Sequence, residues 1–492
     1  MTNNIKCYSQ GETVADFLLG GAGLICILAF CYFFYHYGWI RDRQFTSRAG
    51  VLVYYILPAV LAGQFFNALR FNPVYKVRLA GCCFVLTFLV YGVELLLAYS
   101  QPAFPTNEPI QLHDVTSPEK KNAVSMLARE FGVEFDTRDS AEIITQLRAQ
   151  GLDAVPGVLP RSLLQTDNDG RLKSSIEING AEVLPLSGIS GKLTLFCNES
   201  GQYSFYRSDE YGFHNPKGVW SYRDLQVAAL GDSFTSGACL GAGTNFVDLL
   251  RKHYPATLNL GMGGHGPLLR LATLKEYLPR LRPRLVLWVY DEEFDLVHLN
   301  KEKSSPLLMS YFQKNFYQRL VARQDEIDEI LTNHVEAELA ELLRRSRGAE
   351  LRYYRAALVK HLLLSDVRDR IGLNLGKHSK LDLEPRVERS DLHLLRKILL
   401  QTKFLVEGWN GRLSFVYLPS WKRYAGGLKT ETARESVLAL VNRLGIHTVD
   451  IHPVFQAQPD PLSLFPFRRF LHYTDDGHRL VAHELLKTIS LN

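Results

Sequence analysis

The segment Gly231-Asp232-Ser233-Phe234-Thr235-Ser236-Gly237 sets a serine, flanked by glycines, on a tight turn between a short apolar run and a helix. Such a turn exposes the hydroxyl and leaves the serine N–H at a helix N-terminus, where it can donate to a developing oxyanion. A serine hydroxyl is a poor nucleophile unaided and needs a base to take its proton. An imidazole near its ordinary pKa can accept that proton and return it to a leaving group. His472 and His478, in the closing stretch His472-Tyr473-Thr474-Asp475-Asp476-Gly477-His478, are the candidates for that base. Gly-Asp-Ser is also a common turn composition, so the place of the turn, directly after an apolar strand, gives it its weight.

These residues resemble the ordered blocks of the SGNH (GDSL-type) hydrolase superfamily. Gly231-Asp232-Ser233 is similar to its nucleophile turn. Asn259-Leu260-Gly261-Met262-Gly263-Gly264-His265, about thirty residues later, is similar to its second block and implies Gly264 as an oxyanion donor alongside Ser233. Glycine suits that task because no side chain stands between its N–H and the substrate. The closing block implies His472 as base, with Gly477 and Ala482 at the family's spacing; His478 competes, because Asp475 precedes it by three residues. Two positions depart from the pattern. Aligning Asp295 with the third block puts Phe294 where the family has an Asn that completes the oxyanion hole, and one lost donor costs about 10²–10³ in rate. Arg469 stands three residues before His472, where a carboxylate is expected; Asp460, Asp475 or an unassisted Ser–His dyad are the alternatives.

The elements that must position these groups are legible as alternating apolar runs and helices from Leu225 onward. Strands are expected in LQVAALGD, TLNLG, RLVLWVY, LSFVYLP and IHTVDI, with helices through 244–253, 268–278 and 430–444 and a last helix closing the chain. Near-continuous apolar strands between helices imply a parallel sheet covered on both faces, an α/β doubly wound fold, which the resemblance makes SGNH-like. A charged helical insertion is expected over about 312–408. Ahead of the sheet, 101–224 forms a linker and a small α/β lead-in, in which LTLF and YSFY flank Asn198-Glu199-Ser200-Gly201 as a hairpin. Asn198-Glu199-Ser200 also fits a glycosylation acceptor pattern. The segment 209–216 resembles one found ahead of membrane-linked SGNH domains and reads otherwise as a lid or packing turn. His265 reads as a pocket-lining or bystander residue, and Trp288, Trp409 and Trp421 as core or rim aromatics.

Residues 1–100 form a different region. Val14–Tyr37, Gly50–Leu69 and Ala80–Tyr99 are apolar runs of about 20 residues, the length a helix needs to cross a bilayer, so three transmembrane helices are expected. Glu94 is the ionisable group well inside a span, expected either to serve a function or to snorkel outward. Lys6, Arg70, Lys76 and Arg78 would share one side of the membrane and Arg41, Arg43 and Arg48 the other, a bias towards an extracytoplasmic C-terminal region. The net charge of +5, from 56 Lys and Arg against 51 Asp and Glu, gives no nucleic-acid signature. Five of seven cysteines lie in the first hundred residues; Cys197 and Cys239 either pair, as an oxidising compartment permits, or remain buried thiols. No cluster has zinc-ligand spacing, and no cofactor is implied.

The chain is therefore expected to be a membrane-anchored SGNH-like esterase or O-acyltransferase, its domain 225–492 acting on acetyl esters of an extracytoplasmic glycan. The bilayer, a glycan or acyl-ester substrate and membrane proteins are the expected partners. The competing expectation, motivated by Phe294 and Arg469, is an impaired SGNH-fold subunit that binds glycan or scaffolds an envelope polysaccharide complex.

Overall fold

The computed structural model describes residues 2–35, 51–100, 102–111, 113, 115–371, 389–426 and 431–489. The chain forms two compact units, Met1–Pro102 with Leu351–Leu383, and Ala103–Glu350 with Glu384–Asn492.

The first unit is helical. Among the described residues two of its helices are long and apolar enough to cross a membrane, Gln10–Phe33 and Pro73–Ser100. Three were expected. The middle run is instead a five-residue π turn, Leu52–Ile56, leading into a twelve-residue α-helix, Leu57–Ala68. Together they cover Leu52–Ala68, 17 of the described residues, against the 20 or so that about 30 Å of hydrocarbon requires. The apolar side chains of the two long helices point away from protein: Phe17 is 81% exposed and Phe88 75%. Lys76 holds these helices together, pairing with Asp16 at 2.8 Å and Glu12 at 3.1 Å. Glu94 does not reach outward. It is fully buried and accepts hydrogen bonds from the Asp366 and Val367 N–H groups at 3.1 and 2.8 Å. Tyr91 Oη donates to the Leu362 carbonyl beside it at 2.8 Å. Arg41, Arg43 and Arg48 lie outside the described residues.

The second unit is built on five parallel strands, β1 (Val227–Leu230), β2 (Thr257–Asn259), β3 (Leu285–Asp291), β4 (Arg412–Leu418) and β5 (His447–Asp450). Their spatial order is β5-β4-β3-β1-β2. Side chains alternate across the sheet, so each strand feeds two cores. Ala228, Leu230, Val286 and Trp288 pack with Leu268, Leu271, Leu395 and Ile398 from the helices Pro267–Tyr277 and Arg389–Glu407. Val227, Ala229, Leu285 and Leu287 pack on the other face with Phe246, Leu250, Val481 and Leu485, from Phe246–Arg251 and Asp475–Thr488. Both faces are dry, as the unbroken apolar runs required. The order reverses at β1, and in such sheets the crevice beyond the strand ends at the reversal is where ligands bind. The Ser233 turn begins one residue past Asp232, directly off the end of β1.

The lead-in carries a separate small sheet in which Leu193–Leu195 and Phe205–Arg207 pair antiparallel, and 196–204 joins them. Asp209 anchors the turn after this hairpin. Its carboxylate accepts from the Tyr211 and Phe213 N–H groups, Asn215 Nδ2 and Trp220 Nε1 at 2.7–2.9 Å, and burial pushes its pKa up to about 6. Asn215 in turn bonds both polar groups of the Asn259 backbone at 2.8 Å. The 209–216 segment is thus a packing turn that ties the lead-in to the end of β2.

Candidate active site

Gly231 lets the chain turn off β1: a Cβ there would stand 1.9 Å from Thr235 Oγ1. Asp232 caps the helical turn at Ser233, its carboxylate accepting from the Phe234 N–H at 3.0 Å. Ser233 is the first helical residue, so its N–H belongs to the turn that has no intrahelical acceptor. Its Oγ lies 2.9 Å from His472 Nε2. On the other side of the ring, His472 Nδ1 lies 2.8 Å from Glu199 Oε1, and the His472 N–H donates to Glu199 Oε2 at 3.0 Å. Serine, imidazole and carboxylate form one hydrogen-bonded chain, with the carboxylate gripping both the ring and the backbone of the histidine.

Neither carboxylate suggested by sequence spacing takes part. Asp460 pairs with Arg468 at the surface, and Asp475 lies in the first turn of the last helix. Arg469 donates to the Pro105 carbonyl at 2.7 Å, away from the imidazole. Glu199 comes instead from the lead-in hairpin. A disulfide between Cys197 and Cys239 brings it there, with Cα atoms 4.7 Å apart, joining the residue two before Glu199 to the residue six after Ser233. The glycosylation reading of this tripeptide does not survive, because Asn198 is buried, donating to the Asp136 carbonyl and accepting from the Gly201 N–H.

His478 is a core residue. It stacks on Phe246, and its Nδ1 accepts from the Phe246 N–H at 3.2 Å. Burial pushes its pKa down to about 3, so it stays neutral. His472 moves the other way. Burial alone would lower its pKa, but the charge of Glu199 and its hydrogen bond outweigh that, and the net shift is upward from 6.5. Such a ring keeps its Nδ1 proton towards Glu199 and presents Nε2 to the serine.

The second block closes the site from the β2 side. A Cβ on Gly263 would stand 3.9 Å from Ser233 Cβ, so this loop lies directly against the serine. Gly264 comes next with φ +77°, a conformation that glycine adopts without strain. His265 is fully buried, and burial takes its pKa down to about 3.

The third block turns out to be structural. Asp295 makes a two-point ion pair with Arg270, both completely buried, and Arg270 Nη2 lies 3.8 Å from Asp232. Burial raises the Asp295 pKa to about 7 against the opposing pull of Arg270. Arg270 therefore bridges the third-block acid to the cap of the serine turn. Phe294 precedes it, its N–H donating to Asp291 Oδ1 at 2.6 Å and its ring stacked on His298 at 5.6 Å.

No family model matches the sequence, and no curated protein matches it. Solved structures similar to the chain include a putative lipolytic protein of the G-D-S-L family from Desulfitobacterium hafniense, at 10% identity and TM-score 0.28 over 54% of this chain and 100% of that one. The acetyl xylan esterase AlAXEase matches at 10% identity and TM-score 0.30 over 54% and 100% of the respective chains. An acetyl xylan esterase from Geobacillus stearothermophilus matches at 14% identity and TM-score 0.28 over 55% and 98%.

Proposed function

We propose that this chain is a membrane-anchored SGNH-type serine esterase or O-acyltransferase that removes or moves acetyl groups on an extracytoplasmic glycan, with Ser233 as nucleophile, His472 as base and Glu199 as its orienting acid. The observation that carries the reading is the continuous Ser233–His472–Glu199 hydrogen-bonded chain at the carboxyl end of β1. Ser233 Oγ attacks the acyl carbon as His472 Nε2 takes its proton, and the carbonyl π electrons move onto oxygen. The N–H groups of Ser233 and Gly264 hold that oxyanion. Collapse breaks the bond to the sugar oxygen, which leaves with the proton from His472, and water or a second hydroxyl then takes the acyl group by the reverse steps. Glu199 never needs to accept the proton; it fixes the tautomer and stabilises the imidazolium.

Two features support the extracytoplasmic, membrane-tethered part. The two long apolar helices have the length and composition that suit a bilayer, and the Cys197–Cys239 bridge suits an oxidising compartment. The glycan target rests on the resemblance of the ordered blocks to envelope-polysaccharide members of the superfamily. The test is the ester-linked acetate of the envelope in cells carrying Ser233→Ala at wild-type protein level. A changed acetate content is expected. Unchanged acetate, with the phenotype lost only on deletion of the chain, would instead favour the scaffold reading that Phe294 motivates.

A further inference from the structure

We propose that Arg161, on the lead-in turn Pro160–Leu163, supplies the third oxyanion donor that Phe294 does not. The proposal rests on the serine reading above and concerns a residue outside the three blocks.

Four observations support the proposal. First, the Arg161 stem lies along Gly264: a Cβ built on that glycine would stand 3.3 Å from Arg161 Cδ and 3.4 Å from its Cβ. Neighbouring Leu159 covers Gly263 in the same way, at 2.7 Å from a built Cβ, so this lead-in turn lies over the loop that faces Ser233. Second, Arg161 Nη1 bonds His298 Nε2. His298 is on the helix Asp295–Glu302 that begins just after Phe294, and the Phe294 ring stacks against it. The residue at the Asn position thus holds the histidine that holds the arginine. Third, His298 is a neutral partner: burial first, then the nearby Arg161 charge, pushes its pKa down to about 2. It occupies one of five guanidinium N–H groups and leaves four for a ligand. Fourth, no carboxylate among the described residues lies within 4.0 Å of Arg161. The nearest acid electrostatically is Glu302, whose oxygens are taken by the Gly266 and Leu268 N–H groups at 2.8 and 2.9 Å.

A half-buried cation without a counter-ion is costly to hold, and the cost falls when negative charge develops beside it. An acyl-transfer oxyanion is such a charge. It appears only in the transition state, so a guanidinium aimed at it lowers the barrier rather than tightening ground-state binding. A charge-assisted donor is also about twice as strong as the neutral amide it replaces.

The test is the rate at which a fluorophosphonate probe phosphonylates Ser233 in the full-length protein in detergent, because that reaction develops the same oxyanion. Arg161→Ala is expected to slow labelling by about 10²–10³-fold. Added guanidinium should restore part of the rate at concentrations that leave the wild type unaffected. Arg161→Lys, which keeps the charge but not the fork, is expected to fall between. Thermal unfolding of each variant separates a folding defect from a chemical one. Ser233 labelling in folded Arg161→Ala within threefold of wild type overturns the proposal and leaves the serine reading intact. A loss confined to KM for acidic esters, with neutral esters unaffected, also overturns it, because Arg161 would then read a substrate anion. Absence of Ser233 labelling in the wild type overturns the serine reading itself, and the proposal with it.

Discussion

At the residue scale, Glu199 sets both the direction and the proton affinity of His472. The histidine must be neutral to act as a base, so wild-type kcat/KM should fall as pH drops through a value above 6.5. Glu199→Gln removes the two larger upward influences, the Glu199 charge and its carboxylate hydrogen bond, and leaves burial, which lowers the pKa, against the smaller upward pull of Asp232. The acid limb should then move to lower pH while the plateau rate falls, by up to about 10⁴-fold if the loss matches that of other triad acids. A pH profile of ester hydrolysis for the two proteins checks this, and an unshifted acid limb contradicts the assignment. The Ser233–His472 pair, hydrogen-bonded in the structure, was legible because each residue sits in a local block with its own turn chemistry. Glu199 was not, since its tie to His472 spans 273 residues and runs through a separate hairpin. Cys197 two residues before it and Cys239 six after Ser233 were the usable signal: pairing them brings Glu199 to the serine.

At the element scale, the five strands could be read from sequence because burial on both faces leaves no polar alternation to confuse the pattern. The helix over 267–277 falls within a residue of its expected bounds. The middle apolar run misled because composition reports hydrophobicity and not the length of helix it forms, here Leu52–Ala68 among the described residues. The function of Asp295 was equally hidden, since its value depends on Arg270 from the preceding helix. Asp295→Ala strands a fully buried guanidinium beneath the serine turn and should destabilise the second unit by about 3–5 kcal/mol, read as a lowered denaturant midpoint. The disulfide closes a loop across 42 residues, worth about 4 kcal/mol in the chain-entropy account. Cys197→Ser with Cys239→Ser should therefore lower both stability and kcat, because the same bond positions Glu199. Full activity in the double variant would contradict that coupling.

At the scale of the whole molecule, the apolar surface of the first unit and the dry, two-faced sheet of the second answer to different solvents. The chain should stay with membranes through an alkaline carbonate wash, and an impermeant probe should reach Ser233 in intact cells; labelling only after permeabilisation would place the second unit on the cytoplasmic side. The slight net charge of +5 fits this division, because seven of the basic residues flank or interrupt the apolar runs of the first hundred residues. The central claim is that Ser233, activated through His472 and Glu199, is the nucleophile. Peptide mass spectrometry of the full-length protein after fluorophosphonate treatment tests it most directly. The account predicts one covalent adduct, on the peptide containing Ser233, lost in His472→Ala. An unmodified Ser233, or an adduct that persists without His472, would contradict it.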